Sequence, residues 1–192
     1  MRLLIENGKL KVENSEMTNE RPSLMNAAGW MALPVGAMWS LSFLCAMYGI
    51  GQPLLSLLGQ ALAIVSIFML NRQLTNYRRL FPAVSWLHIM QLSLVTCLLA
   101  GLLTDVAQYA YFLWLDGGRM LSFLSEAFQS EAYRESLKKL MPEADLAEVQ
   151  KMIQGMSVRD IISQLVIYNV MIALPVSLLA ALPVRKSKEP KK

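Results

Sequence analysis

Residues 22–71 read PSLMNAAGWMALPVGAMWSLSFLCAMYGIGQPLLSLLGQALAIVSIFMLN and contain no Asp, Glu, Lys or Arg. In an average soluble domain about 25% of the residues are charged. A helix that crosses a membrane needs about 20 consecutive, predominantly apolar residues. This uncharged run is long enough for two such helices, and it therefore predicts a helical hairpin in a membrane.

The composition of the whole chain favours the same class. Of the 192 residues, 55% are hydrophobic and 17% are charged, and the two cysteines, Cys45 and Cys97, lie in apolar runs. This composition excludes a disordered chain, a disulfide scaffold and a two-domain soluble enzyme. The formal net charge is +4, but the basic residues flank the apolar segments and do not form one stripe, so nucleic-acid binding is not expected.

The apolar segments predict four transmembrane helices and thus an all-α polytopic membrane protein. The predicted spans are about 27–48, 53–70, 83–115 and 161–184. The third is too long for a perpendicular span, so it must tilt, kink or project from the bilayer. Residues 24–188 form a single membrane domain, which follows a polar extension at 1–23 that we expect to be disordered and precedes a basic tail end at 189–192.

Basic residues beside the spans predict the orientation, because Lys and Arg in short loops stay in the cytoplasm. They are Arg72, Arg78 and Arg79 between spans two and three, and Arg185 and Lys186 after span four. Both groups are expected inside, which makes both termini cytoplasmic. The segment at 116–160 between spans three and four is then exported.

The exported segment is predicted to form an insert of two amphipathic helices. Apolar residues recur at three- and four-residue steps from Met120 to Leu140, and again from Leu146 to Met156, after Pro142. The apolar faces can lie on the bilayer surface, pack on the spans or bind a partner. Of these alternatives we expect packing on the spans.

Small residues recur every four positions in three spans, and membrane helices approach closely at such positions. The small-residue sets are Ala28, Ala32, Gly36 and Ser40 in span one, Ser93, Cys97 and Gly101 in span three, and Ala173, Ser177 and Ala181 in span four. They predict packing within one bundle. The set in span one is also compatible with the interface of a homodimer.

Asp105 is an acidic residue within a span, and a carboxylate at such depth is a functional candidate because burying it is costly. It follows Gly101 by four residues and is expected to face the bundle, at a depth similar to that of Asn169 on span four. The two side chains are predicted to meet. Asp105 is then a hydrogen-bonded structural contact or a proton or cation site, unless it lies in water at the outer boundary.

No catalytic, metal or cofactor site is predicted. His88 shares its helix face with no second histidine and no well-placed cysteine or carboxylate, and the chain has no nucleophile elbow, phosphate-binding loop or zinc-protease motif. Pro34 and Pro175 interrupt hydrogen bonding inside two spans. Such bends are ordinary in membrane helices and also line substrate sites in transporters.

These features favour a non-catalytic membrane protein that acts through structure or through contact with a partner in the bilayer. One alternative is a subunit of a proton- or cation-coupled transporter or channel that uses Asp105. Four spans enclose little water, so this alternative needs a homo-oligomer or a membrane-protein partner. A third alternative is an enzyme that acts on lipids at the interface, but the sequence contains no motif that supports it.

The chain resembles a known family in the order of its segments. The residues concerned are Tyr77, Arg78 and Arg79 before span three, the aromatic run 109–112 with Asp116 after it, and the closing run to Arg185 and Lys186. Over residues 24–188 the chain resembles the bacterial inner-membrane family catalogued as domain of unknown function 4199. The resemblance implies four spans in a bacterial inner membrane, and it implies no particular activity.

Overall fold

The computed structural model describes residues 2–6, 9–13, 22–140, 148–149, 151 and 155–186. Its named helices are α1 (Leu24–Tyr48), α2 (Pro53–Leu80), α3 (Trp86–Trp114), α4 (Arg119–Gln129), α5 (Glu131–Leu140) and α6 (Val158–Ala181). A short 3-10 helix, Leu182–Lys186, continues from α6. Strands β1 (Arg2–Glu6) and β2 (Lys9–Glu13) pair in an antiparallel hairpin.

Four of these helices have the length and hydropathy of membrane spans. They are Leu24–Tyr48, Pro53–Leu80, Trp86–Trp114 and Val158–Val184. Shorter helices lie between the third and the fourth. The predicted fold class, an all-α membrane protein with four spans and a helical insert, is confirmed.

The central helix of the bundle is α3. It packs along α1 on one side and along α6 on the other, whereas α2 packs on α1 and also contacts α6. The helices run alternately up and down, so the bundle has two ends. The end that holds the C-terminus of α2 and the N-terminus of α3 is called the terminal end. The opposite end, which holds the α1–α2 turn and the insert, is called the insert end.

The small-residue set of α1 faces α3. Ala28 and Ala32 are completely buried, and a Cβ atom added to Gly36 would lie 3.0 Å from Cβ of Leu103. Because these residues are buried inside the chain, they are not free to contact a second copy. The alternative of a homodimer through this face is therefore wrong.

The contact between α1 and α2 combines a close backbone approach with hydrogen bonds. A Cβ atom on Gly59 would lie 2.9 Å from the carbonyl oxygen of Ser42. The Ser42 hydroxyl donates to the Gly59 carbonyl at 2.7 Å, and Trp39 Nε1 donates to Ser66 Oγ at 2.8 Å. Polar groups in these two spans thus find partners across the interface, as groups removed from water must.

The end of α2 corrects the sequence prediction. The helix continues to Leu80, so Arg72, Arg78 and Arg79 lie on its last turns and not in a loop. Leu70 and Leu74 are fully buried and continue the apolar face of the span at helical spacing. Hydropathy placed the boundary too early, because the charged residues of this segment lie beside that buried face.

The N-terminal extension, residues 1–23, contains the two strands, in which Leu3 pairs with Val12 and Ile5 with Leu10. The disorder expected for this extension stays a prediction. Apolar and polar residues alternate in β2, which is the pattern of a β-strand.

The insert begins with two short helices where one was predicted. Helix α4 ends at Gln129 and α5 starts at Glu131, with Ser130 in an extended conformation between them. The rings of Phe128 and Tyr133 pack across this break at 5.6 Å. The helix predicted from Leu146 to Met156 falls largely outside the described residues.

Candidate functional site

A polar cluster joins α3 to α6 near the insert end. Asn169 Nδ2 donates to Asp105 Oδ1 at 2.6 Å and to Gln108 Oε1 at 3.3 Å. The amide nitrogen of Asn169 carries two hydrogens, so it can serve both acceptors. The structure thus brings together Asp105 and Asn169, the pair singled out from the sequence, and it adds Gln108.

The register between α3 and α6 positions this cluster. Closer to the terminal end, the Ser93 hydroxyl donates to the Ser177 carbonyl at 3.0 Å. A Cβ atom on Gly101 would lie only 3.8 Å from Cβ of Asn169. Small residues therefore let the two helices approach along their length, and Asp105, about one turn after Gly101 on α3, meets Asn169.

Asp105 lies at the edge of this interface. The inward face of α3 at this level is formed by Thr104 and Gln108, which are 3% and 4% exposed, whereas Asp105 is half-buried. The carboxyl group therefore borders the α3–α6 seam, and the prediction that it faces the interior is only approximate. Because α3 packs on both α1 and α6, its buried surface is wider than one helix face. The position of a residue on a single face therefore does not determine how deeply it is buried.

A cleft of about 140 Å³ opens beside the cluster. Its walls are Leu98, Gly101, Leu102, Asp105, Asn169 and Val170. Leu102 and Val170 are 59% and 52% exposed on the outer surface of the bundle. The cleft is therefore mainly apolar and opens sideways, where a bilayer covers the protein.

The depth of Asp105 follows from helix geometry. It precedes Trp114, the last residue of α3, by nine residues, or about 14 Å at 1.5 Å per residue. Tyr109 and Trp114 are both exposed near the insert end of α3, where aromatic rings are typical of the headgroup region. Asp105 accordingly lies about one turn below the level of Tyr109.

A second polar cluster lies at the insert end. Asp116 is 3% exposed and accepts hydrogen bonds from the backbone amides of Gly118 at 3.0 Å and Met120 at 3.2 Å. Gly117 and Gly118 have φ angles of 55° and 84°, which other residues adopt only with strain. Asp116 therefore caps the turn into α4.

This role of Asp116 was not predicted from the sequence, where the residue contributed only to the family resemblance. The signal was the Asp-Gly-Gly sequence before an amphipathic stretch, which is typical of a turn followed by a helix start. Beside it, a cavity of about 150 Å³ is lined by Met47, Tyr48, Ile50, Tyr111, Asp116, Arg119 and Met120.

The residues predicted to pack the helices lie mostly in interfaces. Ser93, Cys97, Ala173 and Ala181 are fully buried, and Ser177 is nearly so. Ser40 is half-buried, and its hydroxyl donates to the Gly36 carbonyl within α1. Their contribution to stability remains a prediction.

The basic residues used to predict topology gather at the terminal end. Arg72 and Arg79 are exposed on α2, and Arg78 donates a hydrogen bond to the carbonyl of Val184. Arg185 and Lys186 belong to the 3-10 helix that follows α6. One end of the bundle therefore carries both basic groups.

His88 lies at the same end, and its ring stacks on Tyr77 with a centroid distance of 6.3 Å. Within the described residues, no group of three or more His, Cys, Asp or Glu side chains is arranged to hold a metal ion. The prolines predicted to bend the spans, Pro34 and Pro175, lie inside α1 and α6.

Comparison with known proteins identifies the family. No curated protein and no solved structure matches the chain. The model of the family described as "Protein of unknown function (DUF4199)" matches residues 31–186, a stretch that includes most of α1 and all of the other three spans. The family inferred from the sequence is thus confirmed over this stretch, and this four-span membrane protein belongs to the DUF4199 family.

Proposed function

We propose that the protein is a non-catalytic, multi-pass protein of a bacterial inner membrane whose exported insert contacts a partner protein. In this proposal the four spans form a stable platform and the insert recognises the partner. Both termini lie in the cytoplasm. The partner is a membrane protein or a second copy of the chain.

The main support for this proposal comes from the insert. Its first turn contributes Met120 and Leu121 to the apolar cluster around Tyr111 at the end of the spans. Further along, Phe123 is 44% exposed and Tyr133 is 38% exposed. Exposed aromatic side chains on a segment outside the spans are typical of contact surfaces.

Site-specific photocrosslinking in native membranes tests the contact. A benzophenone amino acid in place of Phe123 should crosslink to a discrete protein band, which mass spectrometry then identifies. The same probe in place of Ser122, an exposed neighbour on α4, is the matched control. Crosslinks to lipid alone at Phe123, or identical bands from both positions, would contradict the proposed contact.

The orientation rests on the basic residues gathered at the terminal end, because such residues resist export. Single cysteines in place of Ser130 and Ser187, in a chain without Cys45 and Cys97, report the two sides. An impermeant thiol reagent added outside should label the first and spare the second. Labelling of Ser187→Cys from outside would reverse the proposed orientation.

The cleft beside Asp105 favours a second candidate, a subunit of a proton- or cation-coupled transporter or channel. Asp105 lies within a span and borders this cleft, and carboxylates at such depth occur in ion pathways. The test is proton and cation flux into proteoliposomes. Flux that Asp105→Asn abolishes in a folded protein would favour transport over the non-catalytic role.

A further inference from the structure

The cleft between α3 and α6 has the dimensions of a site for a small ligand. Its volume of about 140 Å³ is close to that of apolar protein cavities of roughly 150 Å³ that bind a benzene ring. Leu98, Leu102 and Val170 supply apolar walls. Since two of these side chains are largely exposed on the membrane face, a ligand can enter from the bilayer.

The polar groups in the cleft are hydrogen-bond acceptors. Both hydrogens of the Asn169 amide are used, one by Asp105 Oδ1 and one by Gln108 Oε1. Among the described residues, none donates a hydrogen bond to Asp105 Oδ2 or to Asn169 Oδ1. The cleft therefore offers a carboxylate oxygen and an amide oxygen, and a ligand would be recognised through its donors.

The charge of Asp105 further restricts the ligand. A carboxylate away from water is stabilised by a cation or becomes protonated. Asp105 forms no ion pair with a Lys or Arg in the part of the chain that the structure describes. A positively charged donor from outside the chain would satisfy both the charge and the free acceptors.

We infer that the cleft binds the primary ammonium group of an amphiphile in the bilayer. The ammonium donates to Asp105 Oδ2 and Asn169 Oδ1, and an adjoining apolar part the size of one ring or a short chain packs on Leu98, Leu102 and Val170. The ammonium comes from an aminophospholipid headgroup or from a free lipophilic amine. This binding goes beyond the proposed function, since it requires neither a partner protein nor transport.

Binding of benzylammonium to the full-length protein in phosphatidylcholine nanodiscs tests the inference. Titration calorimetry, with empty nanodiscs as the blank, should show saturable binding to one site. Benzyl alcohol has the same size without the charge, and it should bind at least about tenfold more weakly, because charge-assisted hydrogen bonds are the stronger ones. Equal affinity for the two probes would overturn the inference.

Three variants localise the site. Asp105→Asn keeps the shape of the side chain and removes its charge, so affinity for benzylammonium should fall at least about tenfold. Val170→Phe should fill the rim of the cleft and have a similar effect. Leu87→Phe, at the exposed second position of α3, is the matched control and should bind like the wild type. Unchanged affinity in both cleft variants contradicts the proposed site.

A labelling experiment on the wild-type protein does not depend on the folding of any variant. A hydrophobic carbodiimide adds to a protonated carboxyl group, and rearrangement of the adduct leaves a stable N-acylurea that peptide mass spectrometry detects. Asp105 should be modified from the bilayer, and benzylammonium should slow the loss of the unmodified Asp105 peptide, a readout that also counts any carboxyl group converted to the benzylamide. Modification at the same rate with saturating benzylammonium would show that the ligand does not occupy the cleft.

The lipid composition of the nanodisc distinguishes the two sources of the ammonium. If the natural ligand is a headgroup, replacing part of the phosphatidylcholine by phosphatidylethanolamine should weaken benzylammonium binding in proportion to its content. If the ligand is a free amine, the apparent affinity should not change. Either result supports recognition of an ammonium group and names its source.

Discussion

Substitution of Gly59 by alanine tests the packing of α1 on α2. The added Cβ atom would lie 2.9 Å from the carbonyl oxygen of Ser42 and 3.3 Å from the backbone nitrogen of Ala46. Backbone atoms cannot rotate away as a flexible side chain can, so the two helices must move apart. The move would also lengthen the hydrogen bond from the Ser42 hydroxyl to the Gly59 carbonyl.

The expected magnitude is a balance of two effects. Overpacking a tight contact destabilises by about 1–3 kcal/mol. Replacing a helical glycine by alanine is favourable by roughly 0.5–1 kcal/mol in the absence of a clash. We therefore expect Gly59→Ala to lower the free energy of unfolding by about 0.5–2 kcal/mol.

Gly29→Ala is the matched control, because a Cβ atom at that position would have no heavy atom within 4 Å beyond its chain neighbours and the backbone of its own helix. It should leave the protein as stable as the wild type, or more stable by up to about 1 kcal/mol. Reversible unfolding in mixed micelles, followed by circular dichroism, measures both variants. If Gly59→Ala is as stable as Gly29→Ala, the close α1–α2 contact described here is wrong.

Three further outcomes follow from the contacts of the bundle. Arg78→Met should increase amide exchange over residues 180–184, because the hydrogen bond to Val184 is lost, whereas Arg79→Met should leave this exchange unchanged because Arg79 is exposed. Asp116→Ala removes the cap at the start of α4 and should lower the free energy of unfolding by about 1 kcal/mol in the same assay. An unchanged unfolding midpoint would argue against this cap. Helix α4 should exchange its amides slowly in nanodiscs, and rapid exchange throughout 119–129 would show that the insert is not ordered on the spans.

The membrane architecture could be predicted because it depends on quantities that a sequence carries directly. Length and hydropathy locate spans, since a bilayer core requires about 20 apolar residues. The four-residue spacing of small residues identified the face of α1 that meets α3, from Ala28 to Gly36. The same spacing, with similar depths, paired Asp105 with Asn169.

Other features required the packed structure. The last turns of α2 are charged, and only the contacts of Leu74, Asn71 and Arg78 with the rest of the bundle show why they remain helical. Hydropathy does not register such contacts. The sideways opening of the cleft at Asp105 depends on α3 having two neighbours, and the order of helices around a bundle is not encoded in the periodicity of one helix.

A double-mutant cycle on Asp105 and Asn169 measures directly whether Asp105 serves as a contact between α3 and α6, because that contact is the hydrogen bond between these two side chains. Asp105→Ala and Asn169→Ala are measured alone and together by reversible unfolding in mixed micelles that contain no amine. The double variant should lose less stability than the sum of the two single losses. The expected difference is about 0.6 kcal/mol, and up to roughly 2 kcal/mol. Strict additivity of the two losses would contradict the contact and, with it, a structural role for Asp105.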